Sequence, residues 1–186
     1  MFYLAVVFVS ILLISLINFL FSATLSLTCF AMILLSVTLS AIAVFIIDAI
    51  SALAVRRLTP QIWYLPGRRI FSVSKNERNF YNKLKIKSWK DLVPELGGFT
   101  SFHKDKLVSI SDRKYLKQFI VEANYGVIIH LANALLGVFI AFIPCCNSPS
   151  VWIPVFAVNF ILSILPVIIL RHTSYTLLRL YNRGGE

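Results

Sequence analysis

The chain has 186 residues, 58% of them hydrophobic and 14% charged, with a formal net charge of +10. At a mean hydropathy of +0.80, so little charge excludes an ordinary soluble globular domain and points to an all-α integral membrane protein. All but three of the 18 Lys and Arg residues lie between Arg56 and Lys117, the exceptions being Arg171, Arg179 and Arg183. Nothing in that segment has the form of a nucleic-acid module, so its expected partners are anionic lipid headgroups rather than nucleic acid.

No charged residue occurs from Met1 to Ile47. As one helix this run would be about 70 Å long, more than twice the roughly 30 Å of a bilayer's hydrocarbon, so it must turn. The small hydroxyl residues of FSATLSLT, Phe21 to Thr28, mark the turn and give spans near 2–21 and 28–54. The amino terminus has no Lys or Arg and its apolar run exceeds the usual signal-peptide length, which favours a retained span over a cleaved leader. Asp48 lies eight residues before Arg56, about 12 Å inside the end marked by Arg56-Arg57. Two roles are open to it: an ion pair with a basic residue at the interface, or orientation of a catalytic group across a helix contact.

Residues 56–117 read as a basic, amphipathic cytoplasmic connection without a core of its own. After Pro60, QIWYLPGRRIF mixes Trp63, Tyr64, Leu65 and Ile70 with Arg68 and Arg69, a composition suited to the membrane interface. The next stretch predicts a helix through Phe80, Leu84, Ile86 and Trp89, lying on the bilayer surface and broken by Pro94 and Gly97-Gly98. Ser111-Asp112-Arg113-Lys114 then reads as a helix start, with Ser111 able to cap backbone amides.

The third span, about 118–143, carries Glu122 and His130 into an apolar run, and ionisable groups there are costly enough to be presumed useful. At 100° per residue, Glu122, Gly126, His130, Asn133 and Gly137 fall within an arc of roughly 80°. Val127, Ile128, Leu131, Leu135 and Val138 form an opposite wall fit for lipid. In one reading the polar face lines a cavity where His130 exchanges protons with a substrate. In the other, Gly126 and Gly137 permit close helix packing and His130 hydrogen-bonds a neighbouring helix.

Pro144, Asn147 and Pro149 signal a turn before the fourth span, 151–170. Asn159 and Ser163 share a face of that span, either for helix contact or for substrate, and Pro166 predicts a kink. The basic, amphipathic tail 171–186 is expected to return along the membrane surface. Adjacent Cys145 and Cys146 are poorly placed for a disulfide, and no Cys/His spacing supports a metal site. The positive-inside rule places both termini and segment 56–117 in the cytoplasm of a single membrane domain spanning 1–186.

The order NFYNKLKIKSWKDLVPELGG, then FIVEANYGVIIH, then ILPVIILRHTSYTLLRLYNRGG resembles the small membrane acyltransferases of the glycosyl-diaponeurosporenoate type. The resemblance covers roughly residues 68–186. It rests on Asn82-Lys83, Trp89-Lys90, the Glu122 to His130 spacing, and Pro166 to Arg171 followed by Leu177 to Arg179. Members of this family attach a fatty acyl chain to the sugar of a carotenoid glycoside, so the resemblance implies O-acyl transfer to a hydroxyl of a glycosylated or other amphipathic membrane lipid.

A hydroxyl is a poor nucleophile at its own pKa, and a neutral His130 is the most economical base for it. Glu122, about 12 Å from His130 along the axis, is expected to hold the acceptor or to pair with Lys90 or Arg171, with Asp48 or Asn159 nearer the imidazole. Trp89, Lys90, Arg68 and Arg69 either clamp the phosphate of a coenzyme-A or carrier-protein donor or anchor the chain to anionic lipid. Asn133, Asn159 and Arg171 complete the candidate substrate-binding set. No bound cofactor is implied.

Two other functions compete. Arg171-His172 followed by Tyr175 hints at an isoprenylcysteine-type methyltransferase, although Thr173 stands where that type has Pro and the tail is short for a cofactor lobe. A non-enzymatic four-span scaffold or regulatory subunit fits the same spans, since architecture alone does not license function.

Overall fold

The computed structural model describes residues 2–90, 93 and 112–183, and among these it is all helical, with no strand. In order come α1 (Phe2–Leu20), α2 (Leu27–Leu58), α3 (Lys75–Lys83), α4 (Ile86–Trp89), α5 (Arg113–Leu136) and α6 (Pro149–Arg183). Four of these, with α5 extended to Phe142, are long and apolar enough to cross a membrane, the architecture of an integral membrane protein.

The first turn falls where the hydroxyl cluster places it. The Ser22 hydroxyl donates to Phe19 O at 2.7 Å, and Ser26 Oγ caps α2 by accepting from Cys29 N at 3.2 Å. Pro60 disfavours helical backbone at the residue before it, and α2 stops at Leu58. Two 3₁₀ turns follow, Gln61–Tyr64 and Arg69–Phe71.

The helix predicted through Phe80 to Trp89 is two helices. Ser74 caps α3 by accepting from Glu77 N at 3.1 Å, the first half of a capping box. Lys85 adopts left-handed backbone, φ 49° and ψ 43°, which ends α3 and reorients the chain into α4. Asp112 caps α5, accepting from Lys114 N at 2.8 Å and Tyr115 N at 3.2 Å. Ser111, Pro94 and Gly97-Gly98 lie outside the described residues. Beyond Leu136 the third span tightens into a 3₁₀ helix, Gly137–Phe142. Pro149 opens α6 at the first helical position, where its missing N–H costs nothing. Rather than stopping near Leu170 and turning, α6 runs on through Pro166 and Arg171 to Arg183.

The chain divides into two compact units, Met1–Leu53 with Ala132–Ser163, and Ala54–Leu131 with Ile164–Glu186. In the first, Ile14, Val37, Val44, Ile140, Val151 and Val155 form the core. Asn18 Nδ2 donates to Ser150 O at 2.9 Å and Ser36 Oγ to Cys145 O at 3.0 Å, tying helix ends to the turn that carries the two cysteines. Cys29, Cys145 and Cys146 are all free thiols. Phe8, Leu12, Leu16, Ile46, Ile50 and Leu53 stay exposed, the outward apolar surface expected of helices solvated by lipid.

The second unit has a core that its basic composition hides. Tyr64 and Phe71, from the supposed surface segment, pack with Val121, Ala123, Tyr125, Val127, Val167 and Leu170. Tyr81 and Ile86 pack with Ile169, and Leu116, Phe119 and Ile120 with Leu177. Part of the wall read as facing lipid is therefore covered: Val127 is buried and Ile128 and Leu131 pack against the same cluster, whereas Leu135 remains exposed. The Tyr64 ring stacks on Tyr125 at 3.7 Å between centroids, and Asn124 Nδ2 donates to Tyr64 O at 2.9 Å. These contacts pin the segment after α2 to α5.

Candidate functional site

Three of the residues singled out in the sequence come together in the first unit. Asn133 on α5 and Asn159 on α6 are both buried, and Asn159 Nδ2 donates to Asn133 O at 3.1 Å. The Ser51 hydroxyl bonds Asn133 Oδ1 and also lies 2.9 Å from Asp48 O. The Asp48 carboxyl faces Asn159, while its Oδ1 is buried with no hydrogen-bond partner. Among the described residues no Lys or Arg lies within ion-pair distance of Asp48. Gly137 leaves room for this group: a Cβ there would sit 2.7 Å from Asn159 Nδ2. The result is a buried polar knot of amides, a hydroxyl and a carboxyl among apolar helices, the placement at which polar groups hold helices together or meet a substrate.

The remaining candidates belong to the second unit. His130 is partly buried on α5. Glu122, two turns earlier, pairs neither with Lys90 nor with Arg171: Arg56 Nη2 donates to its Oε2 at 2.8 Å. The Arg56 guanidinium also lies over the Tyr125 ring, 5.5 Å from its centroid. Arg171 is taken by Glu77, with Nε 2.5 Å from Oε1 and Nη2 2.9 Å from Oε2. Its nitrogens also reach Ile70 O at 3.4 Å and Ser72 O at 3.2 Å. Arg171 thus fastens α6 to the chain between Ile70 and Glu77.

Outside the spans, the Arg171 guanidinium holds the Glu77 carboxyl below its ordinary pKa, outweighing partial burial. Tyr81, which donates its hydroxyl to Glu77, is pushed up to about 12 by burial and by that carboxylate. Trp89 is half-buried and donates Nε1 to Leu84 O at 2.8 Å, which positions it by packing. Lys90, Arg68 and Arg69 are exposed. Arg68 Nε donates to Ile62 O at 3.1 Å.

A cleft of about 160 Å³ in this unit gathers residues outside the candidate site set read from the sequence: Arg78, Lys87, Tyr175 and Arg179, with Tyr81 and His172. Arg78 Nη1 donates to Tyr175 Oη at 2.8 Å, and its guanidinium stands 4.7 Å over that ring. Tyr81 meets the His172 imidazole edge-on at 6.3 Å. A signal was present in the sequence, since His172, Tyr175, Thr176 and Arg179 recur at i, i+3, i+4 and i+7 and share one helix face. It was lost because the tail was expected to leave the helix at Arg171. Among the described residues no three His, Cys, Asp or Glu side chains are grouped to hold a metal ion.

No curated protein and no solved structure matches the chain. Residues 60–183 match the family of glycosyl-4,4'-diaponeurosporenoate acyltransferase. That range takes in α3 to α6, and with them the cleft, the Arg171–Glu77 pair and His130. The chain belongs to the glycosyl-4,4'-diaponeurosporenoate acyltransferase family, and so to the acyltransferases of the carotenoid pathway.

Proposed function

We propose that the protein transfers a fatty acyl group from a coenzyme-A or carrier-protein thioester to a hydroxyl of a glycosylated, carotenoid-like membrane lipid. The observation that carries this reading is the family match over residues 60–183. His130 is the general base in it. The imidazole takes the proton of the acceptor hydroxyl as its oxygen attacks the thioester carbonyl. The new C–O bond forms, the C–S bond breaks, and the imidazolium returns the proton to the departing thiolate.

Glu122 plays a structural part, since its charge is met by Arg56. Asp48, Asn133 and Asn159 supply polar contacts within the membrane, either to the acceptor or between helices. The excess of Lys and Arg in segment 56–117 favours a cytoplasmic position for that segment and for both termini, in the cell membrane. The thioester would then arrive from the cytoplasm and the acceptor from the bilayer.

Incubating the purified protein with a labelled acyl thioester and a lipid extract tests the reaction class. Acyl transfer is the expected result; methyl transfer from a sulfonium donor, or neither, would refute it. His130→Gln should abolish transfer with insertion and abundance intact. A variant that keeps most of its activity removes His130 from the mechanism.

A further inference from the structure

We propose that the cleft between α3, α4 and the end of α6 is a phosphate-binding site, occupied by a phosphate of the thioester donor. Identifying the ligand as that donor rests on the acyl-transfer reading, whereas phosphate binding stands on the geometry. Arg78 enters from α3, Lys87 from α4, and His172 and Arg179 from one face of α6. Three cationic side chains thus converge on about 160 Å³, room for a phosphate or diphosphate.

Among the described residues no carboxylate lines this cleft. Glu77, the acid nearest in sequence, has both oxygens engaged by Arg171. Among the described residues no Asp or Glu lies within ion-pair distance of Arg78, Lys87 or Arg179. Like charges held together by a fold repel one another and are stabilised by a bound anion.

Arg78 is set in place before any ligand arrives. Its stack on Tyr175 and its bond to the phenol fix the guanidinium plane, leaving donors for the bidentate contact that suits phosphate. An anchor for lipid headgroups needs only flexible exposed cations. A concave site built from three helices with a fixed guanidinium instead matches a ligand of defined shape, which favours the donor over a headgroup.

The test is binding to full-length protein in phosphatidylcholine nanodiscs, with pyrophosphate, coenzyme A and 3'-dephospho-coenzyme A as titrants. Arg78→Gln and Arg179→Gln should each weaken pyrophosphate and coenzyme-A binding by about tenfold or more. Lys75→Gln, an equal charge loss outside the cleft, should change it less than about threefold. Arg179→Lys, which keeps the charge, should retain more affinity than Arg179→Gln and guards against a folding defect.

Equal weakening by Lys75→Gln and Arg179→Gln would overturn the proposal in favour of general charge. Unchanged coenzyme-A binding in both cleft variants, with lowered retention on phosphatidylglycerol vesicles, would overturn it in favour of a headgroup anchor. Wild-type protein that binds pyrophosphate in the cleft but transfers no acyl group would support this site and refute the proposed reaction.

Discussion

Arg171 and Glu77, 94 residues apart in sequence, meet in a two-point contact in which Nε and Nη2 address separate carboxylate oxygens at 2.5 and 2.9 Å. Glu77→Gln should lower unfolding stability by about 1.5–3 kcal/mol, the range for hydrogen bonds to charged groups. The acid dependence has a definite sign, because the folded pKa of Glu77 lies below its ordinary 4.5. Its contribution is fully present above pH 4.5 and is lost as the pH falls through the lower folded value. Thermal unfolding in detergent between pH 7 and pH 3.5 should show a steeper acid decline for the wild type than for Glu77→Gln. Parallel curves would mean that the pair contributes nothing to folding.

Tyr81 is tied to the same carboxylate. With its hydroxyl pushed up to about 12, it stays a protonated donor throughout the neutral and mildly alkaline range. Tyr81→Phe should cost about 1.5–3 kcal/mol at pH 7, since the acceptor is a carboxylate, with no added pH dependence between 6 and 9. Because Tyr81 and Arg171 share Glu77, the double variant Glu77→Gln/Tyr81→Phe should lose less than the two single losses combined. Strict additivity would separate the two bonds.

Gly137 stands where the third span passes Asn159. A methyl group there would lie 2.7 Å from Asn159 Nδ2 and 3.4 Å from Phe156 Cδ2. Gly137→Ala should push the amide off Asn133 O and destabilise the protein by about 0.6 kcal/mol, the average for hydrogen bonds within membranes, and by no more than about 1.7 kcal/mol. Asn159→Ala removes the obstructing amide, so adding Gly137→Ala to it should cost little further. Unfolding midpoints of the four proteins of this cycle decide the point, and a full additional loss would place the clash elsewhere.

Lys85 carries a side chain through left-handed backbone, a conformation that costs residues other than glycine on the order of 1–2 kcal/mol. Lys85→Gly should be neutral to stabilising, since relief of that strain offsets the extra freedom of the unfolded chain. Lys85→Val, β-branched, should destabilise by more than about 1 kcal/mol. Equal midpoints for the two variants would refute the left-handed assignment.

The four long helices were legible because an uncharged run longer than a bilayer must fold back, and because Ser22, Ser26 and Pro149 carry turn and cap chemistry of short range. The order of residues between Asn82 and Arg179 was enough to indicate the family. Pairings across 66 and 94 residues, Arg56 with Glu122 and Arg171 with Glu77, have no local signature. Tyr64 and Phe71 were read as interfacial because basic neighbours masked their apolar role, and they are buried. The break at Lys85 was missed because neither Gly nor Pro marks it. The cationic face of α6 was overlooked for a related reason: polar residues after Leu170 look like an exit from the membrane, yet the helix simply continues.

The tightening of the third span at Gly137–Phe142 changes how its far end should be mapped. A 3₁₀ helix advances about 120° per residue instead of 100°, so six residues accumulate about 120° of extra rotation. Side chains past Leu136 swing progressively away from where a uniform wheel draws them, by about a third of a circle at Phe142. A cysteine-accessibility scan of this span should therefore lose phase at Gly137, and its exposed positions beyond that point should recur every third residue.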